Sequence, residues 1–329
     1  MEKFRAFRIH KDDGEISGRF EDLTLNDLSD GEVVIKSSFS GINYKDALAA
    51  TGAGKILRKF PLVGGIDVAG TVIHSDDNRY SEGDSVVITG CGLSEEFDGG
   101  YSEIVRVKGD SVIPLPAGLS EKQAMTLGTA GFTAALAIIR MEHNGLAPGG
   151  LPVVVTGATG GVGSLAVDML AGAGYQVTAV TGKADSKAYL EDLGASEILL
   201  REQIDFGKRP MEKAIWAGAV DNVGGEMLTW LTRTMSWWGS IASIGLVGGY
   251  ELHTTVMPFI LRGINILGIN SMATPREMRL KVWQRLAGDL KPAHLEQICT
   301  RVIDFDRLPG TFDDYLQGKT TGRSVVKIR

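Results

Sequence analysis

The stretch Leu151-Pro152-Val153-Val154-Val155-Thr156-Gly157-Ala158-Thr159-Gly160-Gly161-Val162-Gly163 decides the fold of this chain. Its first half is a continuous apolar run, the pattern of a parallel strand buried on both faces. Its second half carries the spaced glycines Gly157, Gly160 and Gly163. Val162, Leu165, Ala166, Met169 and Leu170 then follow at helical spacing, and Gly172 and Gly174 end that helix. Downstream, a second strand over Gln176 to Thr181 leads to a helix near Ser186 to Leu193, closed by Gly194 as a left-handed cap. Strand-like runs recur at Glu197 to Leu200, Ala217 to Val220, Ser240 to Ile244 and Asn265 to Ile269. Strands alternating with helices in this way describe an α/β domain with a doubly wound parallel sheet.

Upstream the pattern changes. Short strands with turn punctuation, the mark of a β-rich domain, include Val33 to Lys36, Val68 to Ile73, and Asp84 to Thr89, the last entered through Glu82-Gly83-Asp84. Helical periodicity appears around Glu121 to Arg140. A chain of 329 residues is long for one core, so two domains are expected. No internal repeat or low-complexity tract interrupts them.

The net charge of -6 gives no electrostatic reason to expect a nucleic-acid or anionic-membrane partner. Cys91 and Cys299 are the two cysteines and lie far apart, which favours a reduced, cytoplasmic protein. The N-terminal residues lack the apolar core of a secretory signal. The charge-free stretch Ala147 to Val167 holds six glycines and two prolines, so it reads as strand, turn and helix and not as a membrane span. A soluble protein is expected.

A glycine triplet alone is a weak signal, because glycines also serve as plain turns. Here the strand before, the helix after and the second strand all agree with a dinucleotide site on a Rossmann domain. Gly157, Thr159, Gly160, Gly161, Val162 and Gly163 would turn tightly and let pyrophosphate approach the backbone. NAD-preferring sites carry an acid near the end of the second strand. This chain has Thr181-Gly182-Lys183 there, with Asp185 past the turn. The Thr181 hydroxyl, the Lys183 cation and Arg201 after the third strand suit a 2′-phosphate, which points to NADPH. The alternative is that Lys183 is a solvated loop lysine.

These residues resemble the medium-chain dehydrogenase/reductase superfamily, in its zinc-lacking, quinone oxidoreductase-like group that includes the YhdH/AcuI-type acrylyl-CoA reductases. The resemblance rests on Gly41-Ile42-Asn43-Tyr44-Lys45-Asp46-Ala47, Phe60-Pro61, Gly65-Ile66-Asp67-Val68-Ala69-Gly70-Thr71 and Gly128 to Ala134. It continues through Val155 to Gly163, Trp216 to Asp221 and Thr254 to Arg262, spanning nearly the whole chain. It implies a GroES-like β-barrel domain over residues 1–122, to which residues 297–329 return, and a Rossmann domain over 123–296. The active site is then expected in the cleft between the domains.

Family zinc enzymes carry a Cys near the Asn43-Tyr44 position and a Gly-His-Glu run near Gly65. Tyr44 and Gly65-Ile66-Asp67 stand there instead, and two cysteines cannot build the four-cysteine structural site, so no metal is expected. Without a metal, carbonyl reduction lacks its electrophile. Conjugate reduction asks less: hydride adds to the β-carbon of an activated alkene while hydrogen-bond donors hold the developing enolate.

Individual residues follow from the resemblance. Tyr44 is expected near the nicotinamide and Asn43 at the ribose or substrate, the alternative being a buried turn in which Asn43 bonds backbone and Tyr44 packs. Asp67 reads as structural, capping a turn or pairing with Lys45. Thr129 and Thr133 read as hydroxyls bonded back to a helix, with a cofactor contact as the alternative for Thr129. Leu246, Ile260, Ser271 and Gln317 match cofactor-contacting positions; otherwise they are a loop leucine, a core isoleucine, a strand-end serine and a departure from the family pattern. Arg262 and Arg323 are candidates for coenzyme A phosphates, and Trp237-Trp238 for packing at a helix end or substrate stacking.

The leading reading is NADPH-dependent reduction of a short 2-enoyl-CoA thioester, with acrylyl-CoA to propionyl-CoA as its sharpest form. Quinone or enone reduction is the second, and an NADPH-binding protein without turnover the third. The strand near Ile264 to Ile269 resembles the edge through which family members pair, so a homodimer is expected.

Overall fold

The computed structural model describes residues 3–329. They form two compact units, the first running to Thr129 with Ser271–Ala287 and Leu295–Arg329, the second holding Ala130–Asn270 with Gly288–His294.

The first unit opens with a hairpin upstream of the strand runs named above. β1 (Phe4–Asp12) and β2 (Glu15–Leu23) pair from Phe4↔Leu23 to Asp12↔Glu15. Asp13 and Gly14 are left in the turn with φ of 53° and 94°. A two-residue Asp-Gly loop with both φ positive matches the right-handed twist of the strands, and it was readable in the sequence. β3 (Val33–Ile42) leads into the helix α1 (Tyr44–Thr51), followed by β4 (Leu62–Val63), β5 (Asp67–Ser75), β6 (Ser85–Thr89), β7 (Ile104–Val107) and β8 (Ile113–Pro114). Phe7, Ile9, Ile42, Tyr101, Phe312 and Val326 belong to one core cluster, which ties the returning C-terminal residues to β1.

The long helix α2 (Glu121–His143) is interrupted at Gly128, whose φ of 49° and ψ of -155° are not helical. The units divide there, some residues later than the expected 122. By length and composition α2 could cross a membrane, yet 89% of its apolar window is buried inside the protein.

The second unit carries β9 (Val153–Thr156), α3 (Gly161–Gly172), β10 (Val177–Thr181), α4 (Lys187–Asp192), β11 (Glu197–Leu200), β12 (Trp216–Asp221), α5 (Gly225–Thr234), β13 (Met235–Ser243), α6 (Met257–Arg262) and β14 (Asn265–Gly268). Its sheet has the order β11-β10-β9-β12-β13-β14, every pair parallel. This is the doubly wound order, with all strands ending toward one edge. β13 starts five residues before the expected Ser240, so Trp237 and Trp238 lie within a strand and not at a helix end.

The remaining elements are α7 (Arg276–Leu286), α8 (Leu295–Ile298), β15 (Cys299–Asp304), α9 (Phe312–Leu316) and β16 (Arg323–Lys327). β16 pairs with β3, which returns the C-terminal residues to the first unit. Ser271–Ala287 also belongs there, which no periodicity revealed. Arg279 anchors it by donating to the carbonyls of Thr89 (2.6 Å), Ser271 (2.7 Å) and Met272 (2.7 Å).

Candidate cofactor and active site

The glycine turn closes around its own backbone. Gly157 has φ of 59°, a conformation that side chains other than glycine rarely adopt. Gly160 N–H bonds Gly157 O at 3.0 Å, and Ala158 N–H bonds Val180 O at 3.0 Å, locking the turn over β10. A Cβ at Gly163 would sit 2.3 Å from Gly157 O and 2.7 Å from Ala158 Cα, so α3 can approach the turn only at a glycine. The first-turn N–H groups of Gly161, Val162 and Gly163 have no intrahelical partner. No acid stands in that turn. The cradle therefore fits an anionic pyrophosphate.

Thr181 departs from its expected role. It is buried, and its hydroxyl accepts from Lys183 N–H at 3.0 Å and faces Thr159 Oγ1 at 3.5 Å. Both hydroxyls shape the turn from inside. What faces outward at the end of β10 is Gly182, Lys183 and Arg201. A Cβ at Gly182 would lie 3.5 Å from Arg201 Nη2, so the guanidinium stands directly over this glycine. Burial lowers the pKa of Lys183, opposed by Asp185. A partly desolvated lysine beside an arginine gains from a dianionic phosphate more than a fully hydrated one would.

Beneath the turn lies a buried bond network that the sequence reading missed. Thr156 Oγ1 donates to Asp221 at 2.6 Å, and Asp221 also accepts from the N–H groups of Val223 and Gly224. Asn222 donates to Thr156 Oγ1 and Thr156 O, and its Cβ lies 3.4 Å from where a Gly157 side chain would begin. The signal was present as Asp-Asn-x-Gly-Gly after an apolar strand. Leu246 belongs to the same rim: it is 66% exposed, and its Cα lies 3.1 Å from a Cβ built on Gly224.

Ile260 does not join them. It is 73% exposed, not a core residue, and sits on α6. The end of α6 docks at the start of β13, where Arg262 donates to Arg233 O and Met235 O. That is the edge of the sheet opposite the glycine turn. Arg262 also donates to Glu212 O. Its guanidinium is spent on carbonyls, which removes it as a phosphate contact.

In the first unit, Asn43 caps α1. Asp46 Oδ2 accepts from Asn43 N–H (2.8 Å) and Nδ2 (3.1 Å), a capping box of the Asn-x-x-Asp kind. Asn43 Nδ2 also donates to Asp67 (2.8 Å), and Asn43 Oδ1 accepts from Arg323 (3.0 Å). The Asn43 side chain is thus committed inward and positions its neighbour; it does not reach for ribose or substrate. Tyr44, the first residue of α1, faces outward and is 43% exposed, so it is not the packed residue of a buried turn.

Asp67 is fully buried and structural, though its partner is not Lys45, which pairs with Glu95. It accepts from Thr129 N–H and from Thr129 Oγ1 (2.5 Å), and faces Arg323 Nη2 at 3.8 Å. Arg323, buried and bonded to Thr126 O and Ile42 O as well, is no coenzyme A contact. A Cβ at Gly128 would lie 2.6 Å from Asp67 and 2.8 Å from Arg323, so this glycine both breaks α2 and makes room for the ion pair. Burial and the Asp67 carboxylate push Asp46 up to about 7. Ser271 gives its carbonyl to Arg279, and Gln317 is exposed where α9 ends.

Residues 29–117 match the alcohol dehydrogenase GroES-like domain, and residues 161–288 the zinc-binding dehydrogenase domain. Over 99% of both chains, this one is 47% identical to the Ruegeria pomeroyi protein named acrylyl-CoA reductase AcuI. The chain belongs to the medium-chain dehydrogenase/reductase superfamily. It is equally, at 47% and 99% of each chain, similar to the Bacillus subtilis protein named putative quinone oxidoreductase YhfP. The crystal structure of that protein with NAD bound superposes with a TM-score of 0.97, at 46% identity and with 100% of each chain covered. The Salmonella enterica YhdH oxidoreductase in complex with NADP gives 0.95, at 44% identity over 99% of this chain and 100% of that one.

This oxidoreductase differs from zinc members of its superfamily where the ligands would stand. Among the described residues no three His, Cys, Asp or Glu side chains converge on a metal position. Asp67, in the former ligand region, has its oxygens occupied by Asn43 and Thr129, with Arg323 Nη2 3.8 Å away.

Proposed function

We propose that this oxidoreductase uses NADPH to reduce the activated C=C bond of a short 2-enoyl-CoA thioester, most specifically acrylyl-CoA to propionyl-CoA. The observation that carries the reading is the cationic end of β10, Lys183 with Arg201 over Gly182, in a chain 47% identical throughout to AcuI. NADPH, when bound, supplies the hydride for the β-carbon, and the α-carbon takes up a proton. The first-turn N–H groups of α3 hold the pyrophosphate, and Lys183 and Arg201 the 2′-phosphate. Leu246 walls the nicotinamide half. Ser271 and Gln317 are retained as cofactor contacts on the resemblance alone. Tyr44 presents its hydroxyl to the reacting end of the substrate, and Asn43, fixed by Asp46, Asp67 and Arg323, positions it.

Quinone reduction is the second reading, favoured by the equal identity to YhfP. NADPH absorbance followed with acrylyl-CoA decides between them, with NADH, a simple quinone and crotonyl-CoA in parallel. Rapid oxidation by acrylyl-CoA far above the quinone and NADH controls is expected. Activity on the quinone alone moves the function to the second reading, and binding without any oxidation to a non-catalytic role.

We also propose a cytoplasmic homodimer. Free Cys91 and Cys299 suit a reducing compartment. β14 is a sheet edge, and Trp237, Trp238, Tyr250 and Ile260 expose a large apolar surface on the same unit.

A further inference from the structure

With Arg262 and Arg323 spent on buried partners, the anionic end of a coenzyme A thioester needs other cations. The first unit gathers two of them around one ring. Lys108 Nζ stands 4.5 Å and Lys59 Nζ 5.8 Å from the centroid of Phe97. Lys59 comes from the loop between α1 and β4, Lys108 follows β7 directly, and both are exposed. Phe97 is half-buried against Gly92, where a Cβ would lie 3.1 Å from its Cδ2. Each ammonium is drawn to the ring, yet the two carry like charge at close quarters and repel. An anion shared by both relieves that repulsion.

The carboxylates nearby are already committed. Glu96 pairs with Arg58 (3.2 Å), and Asp77 and Asp110 pair with Arg79 (2.6 and 2.8 Å). Glu32 accepts from Gly109 N–H, and Asp98 from the N–H groups of Ser29 and Val63. Lys59 and Lys108 have no carboxylate partner among the described residues. The same two segments also support the neighbour of Tyr44. Lys45 pairs with Glu95, and Glu95 O accepts from Arg58 N–H at 2.8 Å. Lys59 is the next residue after Arg58, and Phe97 lies two after Glu95, about 7 Å of extended chain. A ligand that runs from Tyr44 past Glu95 therefore arrives at both ammonium groups.

We propose that Lys59 and Lys108 hold the 3′-phosphate and diphosphate of coenzyme A, a subsite that favours coenzyme A thioesters over uncharged acceptors. The proposal rests on the thioester reading above. Tyr44 meets the acyl end, the pantetheine arm passes Lys45 and Glu95, and the phosphates end at the Phe97 ring. Two exposed ammonium groups give a modest gain that salt screens.

Calorimetric titration of the NADPH-saturated protein with free coenzyme A and with its 3′-dephospho form reads the subsite without turnover. Coenzyme A is expected to bind more tightly than the dephospho form. Lys59→Ala/Lys108→Ala is expected to weaken coenzyme A binding about 5- to 30-fold, with the Kd for NADPH unchanged. The control Lys11→Ala/Lys281→Ala removes the same charge from β1 and α7 and binds coenzyme A as the wild type does. Kinetics with acrylyl-CoA and with S-acryloyl-N-acetylcysteamine, the same acyl group without phosphates, complete the test. In Lys59→Ala/Lys108→Ala the ratio of the two KM values shifts against acrylyl-CoA by a similar factor. No coenzyme A binding, wild-type affinity in Lys59→Ala/Lys108→Ala, an equal loss in the control, or an unchanged KM ratio overturns the subsite, even where acrylyl-CoA is reduced. Coenzyme A binding that depends on the two lysines, without reduction of either thioester, overturns the thioester reading and leaves the subsite standing.

Discussion

Replacing Gly163 by Ala probes the glycine turn most directly. The added Cβ would sit 2.3 Å from Gly157 O, 2.7 Å from Ala158 Cα and 2.9 Å from Ala158 C, against about 3.4 Å for ordinary contact. All three neighbours are backbone, so no side-chain rotation relieves the overlap. Either α3 or the turn must move by about 1 Å, at the cost of overpacking, about 1–3 kcal/mol. The same shift carries the N–H groups of Gly161 and Val162 away from the anion they are aimed at. Loss of one hydrogen bond to a charged group, about 1.5–3 kcal/mol, weakens NADPH binding about 10- to 150-fold. Gly160→Ala is the control, because its Cβ meets nothing closer than 3.3 Å and its φ of -76° suits alanine. Thermal melting of the apo protein and fluorescence titration with NADPH measure the two consequences separately. Melting falls clearly in Gly163→Ala and little in Gly160→Ala. Wild-type melting in Gly163→Ala, with NADPH affinity within about threefold, would refute the claim that the turn tolerates no side chain there.

Lys183→Ala and Arg201→Ala are each expected to raise the Kd for NADPH about 10-fold or more while leaving NADH unchanged, measured by paired titrations; equal losses for both cofactors refute the 2′-phosphate assignment. The Asp46 carboxyl, held up to about 7 against an ordinary 3.8, keeps a proton that the unfolded chain releases above about pH 4. The folded state thus binds more protons, and stability falls as pH rises from about 4 to 7, by up to about 1.4 kcal/mol per pH unit. Urea titrations between pH 5 and 7 should show a flatter slope in Asp46→Asn, and identical slopes would sink the idea. Arg323→Met leaves Asp67 buried without its cation and is expected to cost about 3–5 kcal/mol in urea unfolding, partly recovered by adding Asp67→Asn. Light scattering on the purified protein tests the homodimer, and a species of 35.2 kDa refutes it.

The second unit was legible because its signals are local. An apolar run, glycines at fixed offsets and a helical stripe occupy neighbouring residues, so the doubly wound parallel sheet and the glycine turn of Gly157 to Gly163 follow from short windows of sequence. The Asp13-Gly14 turn, with both φ positive, is equally local. Thr181 and Ile260 show the limit of placing residues by position. Thr181 stands in the right place in the chain, yet its hydroxyl turns inward to Lys183 N–H. Ile260 is apolar, which says nothing about which end of a sheet its helix will reach.

What the sequence alone determined is the superfamily, the parallel sheet, the glycine turn after its first strand and the missing acid at the end of β10, since each depends on residue type and spacing along one segment. Only the tertiary structure decided the role of Asn43, Asp67 and Arg323. Asn43 Oδ1 and Arg323 Nη1 meet across 280 positions, and the buried charge of Asp67 is tolerated because Thr129, Asn43 and Arg323 converge on it. A charged residue read in sequence is most often solvated; burial and pairing exist only once distant strands have packed.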